Sequence, residues 1–85
     1  MKTFNYTITD EMGLHARPAG LLVKEAQKYK SDITVKKGSK SGSAKRIFTI
    51  MGIGISKGDN VTFSVNGSDE DYAVIQIKDF CNKNL

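Results

Sequence analysis

The amino-acid sequence predicts an α+β fold, with helices on one face of a small sheet of antiparallel-compatible strands. Three observations carry that expectation. Phe4, Tyr6 and Ile8, and again Val61, Phe63 and Val65, alternate with polar residues at the period of a half-buried strand. Ala19, Leu22, Val23, Ala26 and Tyr29 recur at the spacing of a helical apolar stripe. Turn residues punctuate these segments throughout, giving the order β-α-β-β-α-β-α.

The first strand is expected over residues 4–8. Asp10 to Leu14 breaks its alternation, and Gly13 supplies a flexible turn. The first helix is expected from Ala16 to about Tyr29, with Pro18 in its first turn, where a missing N–H costs nothing. Ile33 and Val35 mark a second strand. The segment KKGSKSGSAKR reads as a hairpin whose weak, edge-type strand falls around Lys40 to Ala44. The run IFTIMGI is compatible, by pattern alone, with either a short helix or a buried strand. Lys57-Gly58-Asp59-Asn60 turns the chain into the strand of Val61, Phe63 and Val65. After the Asn66-Gly67 turn, Ser68 is expected to cap a last helix that runs to about Asn82. Asp71 takes the capping-box place, and Asp69 and Glu70 suit the positive end of the helix dipole. There is no internal repeat or linker, so residues 1–85 are expected to form one domain.

A chain of this size buries roughly 60–65% of its unfolded surface, enough to fold alone with little in reserve. Apolar residues make up 39% of it, in short runs. None approaches the roughly 20 residues that span a bilayer, so membrane insertion is not expected. The N-terminal segment alternates and carries Asp10 and Glu11, unlike an export signal. Cys81 is the single cysteine and has no partner for an internal disulfide, which points to a reducing, cytoplasmic compartment. One Cys and one His make a Cys/His metal site improbable, and no P-loop is present. The net charge of +4 suits acidic surfaces, phosphorylated groups or nucleic acid without choosing among them.

The only histidine, His15, falls between the Gly13 turn and the start of the first helix. Unpaired backbone N–H groups, expected from Ala16 and Arg17, and the helix dipole make that place a natural anion site. The Arg17 guanidinium adds a forked donor suited to phosphate oxygens. A lone histidine there is also compatible with an ordinary surface residue or an indifferent cap. The helix wheel adds weight to the functional reading. Arg17, Leu21, Lys24 and Lys28 fall on one side, opposite the apolar stripe. Leu21 is thereby predicted to face solvent among cations. Ile47, Phe48 and Met51 offer more apolar surface than a seven-residue helix buries on one side. An apolar patch ringed by Arg and Lys is suited to transient docking of an acidic partner.

The stretch GLHARPAG with the following LLV closely resembles the phosphohistidine motif of the HPr family, the phosphocarriers of the bacterial sugar phosphotransferase system. The resemblance extends to the IMGIGI segment, the KGD turn and the total length. It implies an open-faced sandwich, a four-stranded antiparallel sheet covered by three helices. It further implies that enzyme I, phosphorylated by phosphoenolpyruvate, passes the group to Nδ1 of His15, and that enzyme II A components accept it. Arg17 would assist transfer, while Leu21, Ile47, Phe48 and Met51 would form part of the docking surface. Such a carrier needs no cofactor or metal, is expected to work as a monomer, and is not an enzyme in its own right.

One departure stands out. Gram-positive relatives carry a regulatory serine after the Lys that precedes the second helix, and here that place is Arg46. Arginine cannot accept phosphate, so no switch is expected at position 46, and Ser43 and Thr49 are weak substitutes. A paralogue serving a non-sugar phosphoryl acceptor remains an alternative. So does an RNA-binding module built on Lys36, Lys37, Lys40, Lys45 and Arg46. Against RNA, Phe4, Tyr6 and Phe63 fall on strand faces expected to be buried, leaving no stacking platform.

Overall fold

A computed structural model describes all residues from Met1 to Leu85. Its elements run β1 (Lys2–Thr7), α1 (Ala16–Ala26), β2 (Asp32–Lys37), β3 (Lys40–Ser43), α2 (Ile47–Ile53), β4 (Asn60–Asn66) and α3 (Glu70–Asn84). The strands form one antiparallel sheet in the order β1-β4-β2-β3, with β4 paired to both β1 and β2. The three helices cover one face, so the predicted open-faced α+β sandwich is the fold observed.

Register explains the two faces. Phe4 opposes Phe63, Val35 opposes Phe63 from the other side, and Ile33 opposes Val65. This row meets Leu22, Ile50, Ile77 and Cys81 from the helices, all fully buried. Burial pushes the Cys81 thiol up to about 12, which leaves it an inert core residue. On the alternate positions the sheet presents Thr3, Asn5, Thr7, Thr34, Thr62 and Ser64 to solvent. There the Thr62 hydroxyl donates to Asn5 Oδ1 at 2.7 Å. Phe4 and Tyr6, expected to be buried, are only half-buried, because β1 is an edge strand. Phe4 stacks on Phe63 with centroids 5.0 Å apart, and Lys78 lies over its ring.

The ambiguous run 47–53 is the short helix α2. Ile50 and Ile53 point inward, and Gly54, at φ +75°, ends the helix in the left-handed conformation that glycine adopts without strain.

Three helix limits differ from expectation. Helix α1 stops at Ala26 rather than Tyr29. The backbone groups beyond it are taken by distant side chains: the Lys45 ammonium donates to Tyr29 O at 2.7 Å, and the Asp69 carboxylate accepts from Lys30 N and Ser31 N, each at 2.9 Å. Tyr29 is buried all the same.

At the other helix, Ser68 does not cap α3. Asp69 precedes its first residue, Glu70, and the helix continues past Asn82 to Asn84. The reciprocal bond of a capping box is made one position earlier, from Gly67 N–H to Glu70 Oε1 at 3.1 Å, rather than by Asp71. The Asp69 carboxylate is turned instead onto the 30–31 backbone and the Ser31 hydroxyl, whose hydrogen bond holds it below the usual carboxylate range.

Candidate functional site

His15 occupies the N-cap of α1 in extended backbone, and its imidazole makes no capping hydrogen bond. The first intrahelical bond runs from Ala19 N to His15 O at 2.9 Å. The N–H groups of Ala16 and Arg17 therefore precede the helical ladder, and Pro18 has none to offer. No acidic side chain lies in the first turn to compete for an incoming anion.

The preceding loop is tied down at each step. Ile8 N donates to Asp59 O, Thr9 N and Asp10 N both donate to Leu85 O, and Leu14 N donates to Ile55 O. Gly13, at φ +66°, lies where an added Cβ would come within 2.6 Å of Ile55 O and 2.7 Å of Ser56 Cα. Only glycine fits that close approach of two backbones.

Around His15 lies a shallow depression of about 240 Å³, lined by Asp10, Arg17, Pro18, Leu21, Lys83 and Asn84. The histidine is partly exposed there, and its Nε2 lies 4.0 Å from Asp10 Oδ1. The side chains of Arg17 and Lys83 supply positive charge, although Lys83 also pairs with Asp79 at 3.0 Å. Asp10, Lys83 and Asn84 were not singled out from the sequence. Lys83 and Asn84 lie almost 70 positions from His15, and no local pattern links them. Asp10 could have been found from its place at the head of the Gly13 turn.

The expected docking residues separate into two groups. Leu21, Phe48 and Met51 are exposed apolar side chains, Phe48 at 86%, while Ile47 is half-buried against the core. Helix α2 lies against α1 beside Gly20, where an added Cβ would sit 3.7 Å from Ile47 Cδ1. Lys24 is exposed within α1. Lys28 is not brought to this patch. It lies beyond the end of α1, bonds Glu25 at 3.0 Å, and lines a separate groove against α3. Arg46 precedes α2 with its guanidinium in solvent, free of hydrogen bonds and ion pairs.

That second groove, between the end of α1 and α3, is larger at about 540 Å³. Its acids are already occupied: Glu25 by Tyr29 and Lys28, Asp69 by Ser31, and Asp79 by Lys83. Burial alone would raise the Glu25 carboxyl, but the bonds from Tyr29 and Lys28 outweigh it and hold it low. With each of its carboxylates engaged and no histidine or cysteine in its lining, this groove has less chemistry to offer than the smaller one. No three His, Cys, Asp or Glu side chains cluster to hold a metal, and no helix is long and apolar enough to cross a membrane.

Fold and site together define a histidine-bearing open-faced sandwich. A family model described as the PTS HPr component phosphorylation site matches residues 2–83. A phosphocarrier protein HPr of Mycoplasma capricolum subsp. capricolum is 44% identical over 78 residues, which cover 92% of this chain and 88% of that protein. The crystal structure of HPr-C-His from Thermoanaerobacter tengcongensis is similar with a TM-score of 0.93 and 40% identity, covering 99% of this chain and 94% of its own. An HPr dimer from the same organism is similar with a TM-score of 0.77 and 41% identity, covering 98% of this chain and 95% of its own. The chain belongs to the HPr family of phosphocarrier proteins of the phosphotransferase system.

Proposed function

We propose that this chain accepts a phosphoryl group from phospho-enzyme I on Nδ1 of His15 and passes it to enzyme II A components, turning over only with those partners. The observation that carries the reading is the imidazole of His15 at the start of α1, making no capping hydrogen bond and lying beside Arg17 and Lys83. Phosphoryl transfer asks a protein mainly for positioning and charge stabilisation. The free N–H groups of Ala16 and Arg17 and the helix dipole supply these for an anion on the ring. Leu21, Phe48 and Met51, with Lys24 near them, form the surface on which an acidic partner docks. Exposed apolar side chains among cations support that role. Lys28 stands outside this surface.

No cofactor or metal enters this scheme, and the protein acts in the cytoplasm as a monomer of one domain, residues 1–85. Arg46 is not a phosphorylation switch. A kinase assay with ATP that labelled Ser43 or Thr49 stoichiometrically would overturn the absence of such control. Nucleic-acid binding is disfavoured because Phe4 and Phe63 stack on each other against the helices, and the open face, with Lys36 among hydroxyls and amides, carries no aromatic side chain. A non-sugar acceptor would use the same histidine.

The test is incubation with enzyme I and phosphoenolpyruvate beside His15→Ala, followed by intact mass. The expected result is one phosphate, acid-labile and alkali-stable, absent from the variant. A folded wild-type chain that stays unmodified would refute the proposal.

A further inference from the structure

Asp10 is the one carboxylate lining the His15 depression, and its place is set by its surroundings rather than by chance exposure. Its N–H donates to Leu85 O at 2.9 Å, and its C=O accepts from Gly13 N at 3.0 Å. Its Oδ1 accepts from Met12 N at 2.9 Å. The main chain of Asp10 is therefore held by Leu85 and the 10–13 turn, and its side chain by that turn. The held carboxylate lies 4.0 Å from Nε2 of His15, its nearest approach to the ring nitrogens within ion-pair range. The other charged side chains lining the depression are the cations Arg17 and Lys83.

We infer that Asp10 is a positioning residue: its carboxylate keeps the proton of neutral His15 on Nε2 and so presents the Nδ1 lone pair to the incoming phosphorus. The inference deepens the phosphocarrier reading and rests on it for Nδ1 as acceptor. In the transfer, the Nδ1–P bond forms while the donor's bond to phosphorus breaks and the donor atom keeps that electron pair. Nε2 retains its hydrogen, so the phosphorylated ring carries positive charge opposite Asp10. Arg17 and Lys83, which would oppose that ring charge, match the phosphoryl oxygens instead. A carboxylate 4.0 Å away thus favours both the reactive tautomer and the charged product.

Asp10→Asn separates this role from loop structure, because an asparagine oxygen can still accept from Met12 N–H. The decisive readout is the imidazole tautomer, from long-range ¹H–¹⁵N correlations of unphosphorylated protein at about pH 9. We expect the ratio of Nδ1–H to Nε2–H tautomer to rise about threefold in the variant, with the thermal midpoint unchanged, from a charge interaction screened largely as in water. With enzyme I, we expect the phosphoryl equilibrium to shift about fivefold away from the variant, with KM unaltered. An unchanged tautomer ratio overturns the inference, whether or not the protein is phosphorylated. A wild-type chain that takes no phosphate would instead strike the carrier reading, while the tautomer ratio still judges the hold of Asp10 on the ring.

Discussion

Replacing Gly13 with alanine should cost stability in two separable ways. Gly13 sits at φ +66°, where an L side chain costs about 1–2 kcal/mol. Its new Cβ would also meet Ile55 O at 2.6 Å and Ser56 Cα at 2.7 Å, backbone atoms that cannot rotate away. Overpacking of this kind costs about 1–3 kcal/mol. The sum, about 2–5 kcal/mol, is a large part of the roughly 4–13 kcal/mol that a chain this long commands. Gly54 provides the control. It too has positive φ, +75°, but nothing lies within 4 Å of an added Cβ, so Gly54→Ala should show only the first cost. Urea denaturation followed by circular dichroism gives both values from midpoints at a common slope. Gly13→Ala should be the less stable of the two by about 1–3 kcal/mol. It should also take phosphate from enzyme I more slowly while still folded, since the Ile55 contact anchors the loop that leads into His15. Equal losses for the two variants would refute the close approach of the 13 and 55–56 backbones.

The remaining expectations concern the helices, the acid limit and the docking face. Gly20→Ala, inside α1, meets only Ile47 Cδ1 at 3.7 Å and should stabilise by about 0.5–1 kcal/mol, read as a rise in urea midpoint. The Ser31 hydrogen bond depresses the Asp69 carboxyl, and the Lys37 hydrogen bond does the same for Asp59. Carboxyls lowered by folding contribute stability above their unfolded values and lose it as pH falls through the folded ones. Stability should therefore hold above about pH 5 and decline below about pH 4, with a shallower decline in Asp69→Asn. Phe48→Ala and Met51→Ala should change stability by only about 0.5 kcal/mol, as surface substitutions do, yet raise the KM for enzyme I; an unchanged KM would remove α2 from the docking face.

The parts of the fold that were readable from sequence are those where one face of an element meets the core. The alternation of Val61, Phe63 and Val65 and the stripe Ala19, Leu22, Ala26 each encode a single buried side, and a strand and a helix formed there, the helix ending short of Tyr29. What was hidden depends on partners distant in the chain. Tyr29 completes the apolar stripe, but the helix ends before it because Lys45 and Asp69 claim the backbone beyond. Ser68 has the composition of a cap, yet the capping bond belongs to Gly67 and Glu70. The run 47–53 was ambiguous because both its inward and its outward positions are apolar. The same division holds at the candidate site: His15 and Arg17 stand in a local motif, whereas Lys83 and Asn84 come from the far end of α3.

The strand order has a bearing on how the protein is made. Strand β1 pairs only with β4, and the loop that follows is pinned by Ile55, Asp59 and Leu85. A chain growing from its N-terminus thus completes β1 and the His15 loop early but can fasten neither until residues 55–66, and finally 85, have appeared. Hydrogen-exchange pulse labelling should find the Leu14 amide protected later than the amides inside α1, because its contact with Ile55 closes a loop of about 40 residues. A nascent chain would carry His15 before Ile55, Asp59 and Leu85 are there to pin the loop that leads into it. The geometry around His15, near the start of the chain, is thus set by residues about 40 or more positions later.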